Sequence, residues 1–144
     1  MPLNLSVIGT GYRGVVHAAC MADLGHRVIA IDTDAAKVES LSRGVPSIFE
    51  PGLGELLASV LPTGRLRFTT DNAEAAGADL HFICVGTPQR KGENAADTSY
   101  VFAAGDSLAP YLRAETLSTR TVAAVATAPS LRRGNRRFQE LPSF

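Results

Sequence analysis

The chain has no tryptophan, two cysteines and two methionines, and aromatic residues make up 6% of its 144 positions. Two thiols, Cys20 and Cys84, do not make a disulfide framework, which excludes a small secreted scaffold held by cross-links. Charge of one sign is missing as well. Fourteen Lys and Arg balance 14 Asp and Glu, so no overall field recruits nucleic acid or an anionic membrane surface. No apolar run approaches the roughly 20 residues of a membrane span. The N-terminal apolar stretch, Leu3 to Ile8, is short and runs straight into glycines, without the basic flank and cleavage site of a secretion signal. The expectation is a cytoplasmic protein. With 45% hydrophobic and 19% charged residues, the chain suits one globular domain with a sizeable core.

What is present is a glycine loop in a complete context. Leu3 to Ile8 has strand character, and Gly9-Thr10-Gly11-Tyr12-Arg13-Gly14 follows, opening a helical pattern. Eighteen residues after Gly14, Asp32 ends a second apolar run, Arg27 to Ile31. In a dinucleotide site Gly9 permits the tight turn, Gly11 lets backbone approach a pyrophosphate, and Gly14 lets helix and strand pack closely. The anion would rest on unpaired N–H groups at the positive end of the helix. Asp32 is placed to accept hydrogen bonds from both hydroxyls of an adenosine ribose and to repel a 2′-phosphate, which favours NAD over NADP. Its alternative role is a helix cap, which Asp34 can fill instead.

Alternating strand and helix patterns predict an α/β fold: a doubly wound, Rossmann-like, mostly parallel sheet with helices on both faces. Strands are expected near Leu3–Ile8, Val28–Ile31, Leu66–Thr69 and Leu80–Val85. A first helix over Tyr12 to Leu24 has Cys20 on its apolar face, and Gly25 closes it. His17 and His26 are expected to face solvent or to make local hydrogen bonds. A second helix covers Ala35 to Arg43, and Lys37 on its first turn is either a surface lysine or part of the site. Pro51 is expected at the first position of a third helix, which carries the stripe Leu53, Leu56, Leu57 and Val60. Asp71 or Asn72 can cap a short helix to Ala76. Cys84 is read as core inside the fourth strand, and the Gly86-Thr87-Pro88 turn puts Thr87 at a carboxyl edge, where open α/β sheets bind ligands. Ser99 to Tyr111 is helical. A weak fifth strand falls within Thr119 to Ala128. The expected domain is 1–128, followed by an irregular basic tail over 129–144, where four arginines fall in six positions.

These motifs resemble a known family. Ile8-Gly9-Thr10-Gly11-Tyr12, Asp32-Thr33-Asp34 with Lys37, Phe49-Glu50-Pro51-Gly52-Leu53, Arg65 to Asp71, and Val85-Gly86-Thr87-Pro88-Gln89 occur in order, as in the N-terminal domain of the UDP-glucose/GDP-mannose dehydrogenase family. The Gln89 to Asp97 loop is especially like the UDP-glucose 6-dehydrogenases and argues against a GDP-mannose enzyme. The resemblance spans about Met1 to Arg113. It implies NAD as cofactor, with contacts from Gly9, Thr10, Gly11, Tyr12, Gly14, Asp32, Lys37, Val85, Gly86 and Thr87. Arg13, where the family has an apolar residue, can reach the pyrophosphate or point to solvent, and the alternation of the helix face favours solvent. Thr121 stands where a functional threonine belongs, although the Lys, Ser, Pro and Gly around it are replaced. The family's reaction is two NAD-dependent oxidations of the UDP-glucose C6 hydroxymethyl to a carboxylate through a cysteine thioester. Its thiol, its catalytic lysine and asparagine and its sugar-nucleotide pocket lie in later domains, and neither Cys20 nor Cys84 matches the thiol. No catalytic or metal-binding residue is therefore assigned. The resemblance implies a truncated cofactor half, inactive alone, that could dimerise as the family does and meets a nucleotide sugar only if the missing domains are supplied. The alternative is a non-catalytic nucleotide- or partner-binding module. The Ala-, Arg- and Pro-rich texture beyond Arg113 suggests a coding strand read out of frame.

Overall fold

A computed structural model of the chain describes residues 1–92 and 95–112 and the main chain of 121–123. Five strands form one parallel sheet: β1 (Asn4–Ile8), β2 (Arg27–Ile31), β3 (Leu66–Thr69), β4 (Leu80–Ile83) and β5 (Thr121–Ala123). Their order across the sheet is β3-β2-β1-β4-β5. Ser6 stands beside Ile29 on one side and His81 on the other, and His81 stands beside Thr121. The strand order reverses beside β1, between β1 and β4, which is where a doubly wound sheet opens a crevice at its carboxyl edge.

Strand alternation divides the core. Leu5, Val7, Val28, Ala30, Leu66 and Phe68 point to one face, where α1 (Tyr12–Asp23) and α3 (Leu53–Val60) cover them. Ile8, Ile31 and Ile83 point to the other, beneath Val101, Ala104 and Leu108 of α4 (Ser99–Leu108). α2 (Ala35–Ser42) buries Leu41 against the first face. Helices on both faces of a parallel sheet match the expected architecture.

Several boundaries differ from expectation for local reasons. β4 stops at Ile83, so Cys84 and Val85 belong to the turn that follows, although Cys84 N still donates to Ile8 O at 2.7 Å. Cys20 is exposed instead of packed. The buried face of α1 is Gly14, Val15, Ala18, Ala19 and Ala22, and Cys20 sits one helical step off it. α1 closes in a Schellman motif, with Gly25 N donating to Ala22 O and His26 N to Met21 O, which leaves Leu24 71% exposed. α3 begins at Leu53 because its cap Gly52 has φ +84°, so Pro51 lies outside the helix. The segment Asn72–Gly77 is a 3-10 helix, capped by Asp71 Oδ1 accepting from Ala73 N. α4 gives way at Ala109–Tyr111 to a 3-10 turn, where Pro110 has no N–H to continue the α ladder. His17 is half-buried, its ring edge-on to Phe82 at 4.3 Å, and half-buried His26 accepts from Leu3 N through Nδ1. The tail expected over 129–144, and the fifth-strand stretch beyond Ala123, lie outside the described residues.

Candidate functional site

At the carboxyl edge the glycine loop leaves β1 with Gly9 at φ +96°, a conformation that side chains rarely adopt. Its N–H donates to Ile31 O at 2.7 Å, tying the loop to the end of β2. Gly14 is required on other grounds: a Cβ there would sit 1.8 Å from the carbonyl oxygen of Gly9. Beside Gly11 nothing lies within 4 Å of a built Cβ, so space stands open on the outer side of the loop.

The helix behind the loop is unusually bare at its start. Gly11 caps α1 without a side-chain hydrogen bond, and the first turn has no acidic residue. By contrast, Asp34 Oδ1 closes the start of α2 by accepting from Ala36 N and Lys37 N, both at 3.1 Å. The first four N–H groups of a helix have no partner within it. In α1 the residues that carry the first of them, Gly11, Tyr12 and Arg13, border a groove at the positive end of the macrodipole, an arrangement that suits an anion.

Asp32 ends β2 beside this loop. Its Oδ2 accepts from Thr10 N at 2.9 Å, Thr10 Oγ1 at 2.7 Å and Lys37 Nζ at 3.2 Å, and its Oδ1 accepts from Asp34 N at 3.0 Å. Partial burial works to raise the carboxyl pKa, but the donors of Asp34, Thr10 and Lys37 outweigh it and hold the group below the usual carboxylate range. Asp32 is therefore ionised at neutral pH. Lys37, with two readings open from sequence, forms an ion pair with it.

Two grooves meet at the loop. One, of about 380 Å³, runs from Asp32, Thr33 and Lys37 past Gly9 and Gly11 to Val85 and Gly86. The other, of about 360 Å³, is lined by Gly11, Tyr12, Arg13, Cys84, Val85, Gly86 and Thr87. Gly11, Cys84, Val85 and Gly86 border both, so the pair forms one bipartite cleft folded around the loop, a fit for a ligand of two nucleosides joined by a pyrophosphate.

Most residues expected at the site do converge here. Thr10 and Gly14 line neither groove: Gly14 is buried against Gly9, and Thr10, 2% exposed, spends both donors on Asp32 and supports the carboxylate from behind. Tyr12 donates its hydroxyl to Glu50 Oε2 at 2.7 Å, and Arg13 is exposed on the second groove. Thr121 is at the start of β5, beside His81 in register. Sequence reasoning missed the groove's far wall, Tyr100, Ala103, Ala104 and Ser107 of α4 with Asn72 and Thr70. The signal was the stripe Tyr100, Ala103/Ala104, Ser107 at helical spacing. Cys84, expected in the core, lines the cleft half-buried, and its burial raises the thiol pKa. Among the described residues no cluster of His, Cys, Asp or Glu could hold a metal ion, and no helix is long and apolar enough to cross a membrane.

Known proteins resemble this chain in sequence and in fold. The chain is 43% identical over 133 residues to UDP-glucose 6-dehydrogenase of Rhizobium meliloti, covering 91% of this chain and 30% of that protein. To GDP-mannose 6-dehydrogenase of Azotobacter vinelandii it is 47% identical over 89 residues, covering 61% and 20%. A UDP-glucose dehydrogenase structure from Pyrobaculum islandicum superposes with a TM-score of 0.82 at 39% identity, over 97% of this chain and 33% of that one. The chain thus spans about 30% of the length of the first curated relative. A family model matches residues 3–134, past Arg113, where the motifs fade, and into the segment expected to be an irregular tail. On that match, this chain belongs to the UDP-glucose/GDP-mannose dehydrogenase family, of which it is the NAD-binding domain.

Proposed function

We propose that NAD lies in the bipartite cleft, its adenosine half between Asp32 and α4 and its nicotinamide half toward Val85, Gly86 and Thr87. Gly9, Gly11 and Gly14 would set the pyrophosphate on the bare start of α1, with Tyr12 and Arg13 at its rim. Asp32 carries this reading: an ionised carboxylate at the end of β2, beside a helix start left without a cap. Oδ2 already accepts three hydrogen bonds and Oδ1 one, so Oδ1 has the acceptor capacity left for a ribose hydroxyl. The bound nicotinamide supplies hydride acceptance, while the chain orients it. Thr10 fixes the carboxylate, the glycine loop fixes the pyrophosphate, and the walls of α4 shield the adenosine from water.

In a longer polypeptide, or with the other domains supplied, this unit would serve the oxidation of a UDP-sugar to a UDP-uronate in the cytoplasm, within a homodimer. Likeness to GDP-mannose enzymes as well as to UDP-glucose enzymes keeps oxidation of a GDP-sugar as the alternative reading. Calorimetric titration of the chain with NAD and NADP tests the cofactor assignment. Tighter NAD binding is expected, and equal affinity for the two would overturn it.

A further inference from the structure

Asp32 and Lys37 are the charged side chains that line the adenosine-side groove, and they cancel each other. Lys37 Nζ lies 3.2 Å from Asp32 Oδ2, with side-chain exposures of 27% and 11%. The carboxylate cannot turn away, because Thr10 holds the same oxygen with two donors and Asp34 N holds the other. The lysine is anchored at its backbone, where Lys37 N donates to Asp34 Oδ1 on the first turn of α2. An ammonium thus sits next to the carboxylate that would read the ribose, and its charge is used up on that carboxylate.

On the reading that this groove takes the adenosine half of NAD, we propose that Lys37 is a caged phosphate-binding group. Asp32 makes the groove refuse a 2′-phosphate both by repelling it and by occupying the cation that would receive it. The discrimination then belongs to the pair. A 2′-phosphate would extend from the ribose edge that faces Asp32, within the radius of the long Lys37 side chain, whose ammonium binds phosphate as a point charge. Two consequences have opposite sign. Removing the carboxylate releases the ammonium and admits the phosphate. Removing the ammonium alone leaves the carboxylate's repulsion uncompensated and sharpens the preference for NAD.

The test is a cycle of the whole chain as wild type, Asp32→Ser, Lys37→Met and the double variant. Asp32→Asn is a second form of the first change, and thermal melting confirms that each variant folds. Kd values for NAD and NADP are measured by calorimetry. Removing the carboxylate should tighten NADP roughly tenfold to a hundredfold, the scale of one charge-assisted hydrogen bond, while NAD weakens. Lys37→Met should raise the NAD-over-NADP ratio, and the double variant should lose the share of the NADP gain that the freed ammonium supplies, binding NADP well below Asp32→Ser. A gain undiminished in the double variant, or no gain in either folded Asp32 variant while NAD weakens, overturns the caged lysine and leaves the site standing. NAD affinity untouched by every change at Asp32 overturns the site itself, and this inference with it.

Discussion

At Gly14 a methyl group would meet the carbonyl oxygen of Gly9 at 1.8 Å, and a backbone carbonyl in a tight loop has nowhere to go. Gly14→Ala should push α1 off the loop, cost about 1–3 kcal/mol of stability as overpacking does, and weaken NAD in parallel; denaturant melts and calorimetry on one preparation check both. Gly11→Ala is the control, since nothing lies within 4 Å of a Cβ there: stability should change by less than about 1 kcal/mol, and NAD binding should suffer if the pyrophosphate uses that space. Asp32→Ala should cost about 1–3 kcal/mol of NAD affinity, the worth of a charge-assisted hydrogen bond. Such residues were legible in the sequence because sterics and charge leave few alternatives: a turn that needs positive φ, a close approach, a carboxylate at a strand end. Cys20 was misread, and the burial of Thr10 was not foreseen, for a reason of the same kind. One residue's rotation about a strand or helix decides which way a side chain faces, and neither the loop pattern nor the apolar stripe of α1 fixes that rotation to one step.

Among the elements, the sheet was the most legible, because strands buried on both faces read as apolar runs. Element ends were the least. Gly52 at φ +84° delays α3 past Pro51, and Pro110 turns the end of α4 into a 3-10 turn, effects of single dihedrals and single missing donors that a hydrophobic period does not register. β3 is an edge strand carrying exposed Arg67, with exposed Arg65 just before it, and Arg67 pairs with Glu74. Charge on an edge discourages pairing with other chains. The contrast between the starts of α1 and α2 is also a statement about elements. Asp34 closes α2 with hydrogen bonds to Ala36 N and Lys37 N, so Asp34→Ala should cost about 1 kcal/mol of stability, measured by denaturant melts. No acid or side-chain cap competes at α1, so its start stays available to the cofactor.

For the molecule as a whole, acid is the sensitive direction. Burial lowers the pKa of His17, set against Phe82, and of His81, whose Nδ1 shares a 2.6 Å hydrogen bond with Ser6 Oγ. Both imidazoles are favoured neutral in the fold, whereas the unfolded chain takes up protons near 6.5. Below that pH the unfolded state binds more protons, so stability is complete above about 6.5 and falls as pH drops toward the folded-state values, by at most about 1.4 kcal/mol per pH unit for each histidine. Asp32, held below the usual carboxylate range, adds a second loss at lower pH. Its contribution is present while the unfolded-state carboxyl is ionised and fades as pH falls through the folded-state pKa. Urea titrations at pH 5, 6, 7 and 8 should show stability rising to pH 7 and then levelling, and His17→Leu should flatten the rise. A level profile from 5 to 8 would refute the burial argument. NAD at a hundred times its Kd should add about 2.7 kcal/mol by mass action, and Asp32→Ala should cut that gain by about 1–2.4 kcal/mol at the same NAD concentration. UDP-glucose, by contrast, should leave the melting temperature unmoved, and with NAD present the pure chain should form no NADH. On the proposal that the groups meeting the sugar belong to other domains, a cleft that only orients a hydride acceptor does not lower the barrier of the reaction. Absorbance at the reduced-nicotinamide band, followed over hours in a preparation free of contaminating enzyme, decides the point; a steady rise proportional to chain concentration would show that the chain holds catalytic groups of its own.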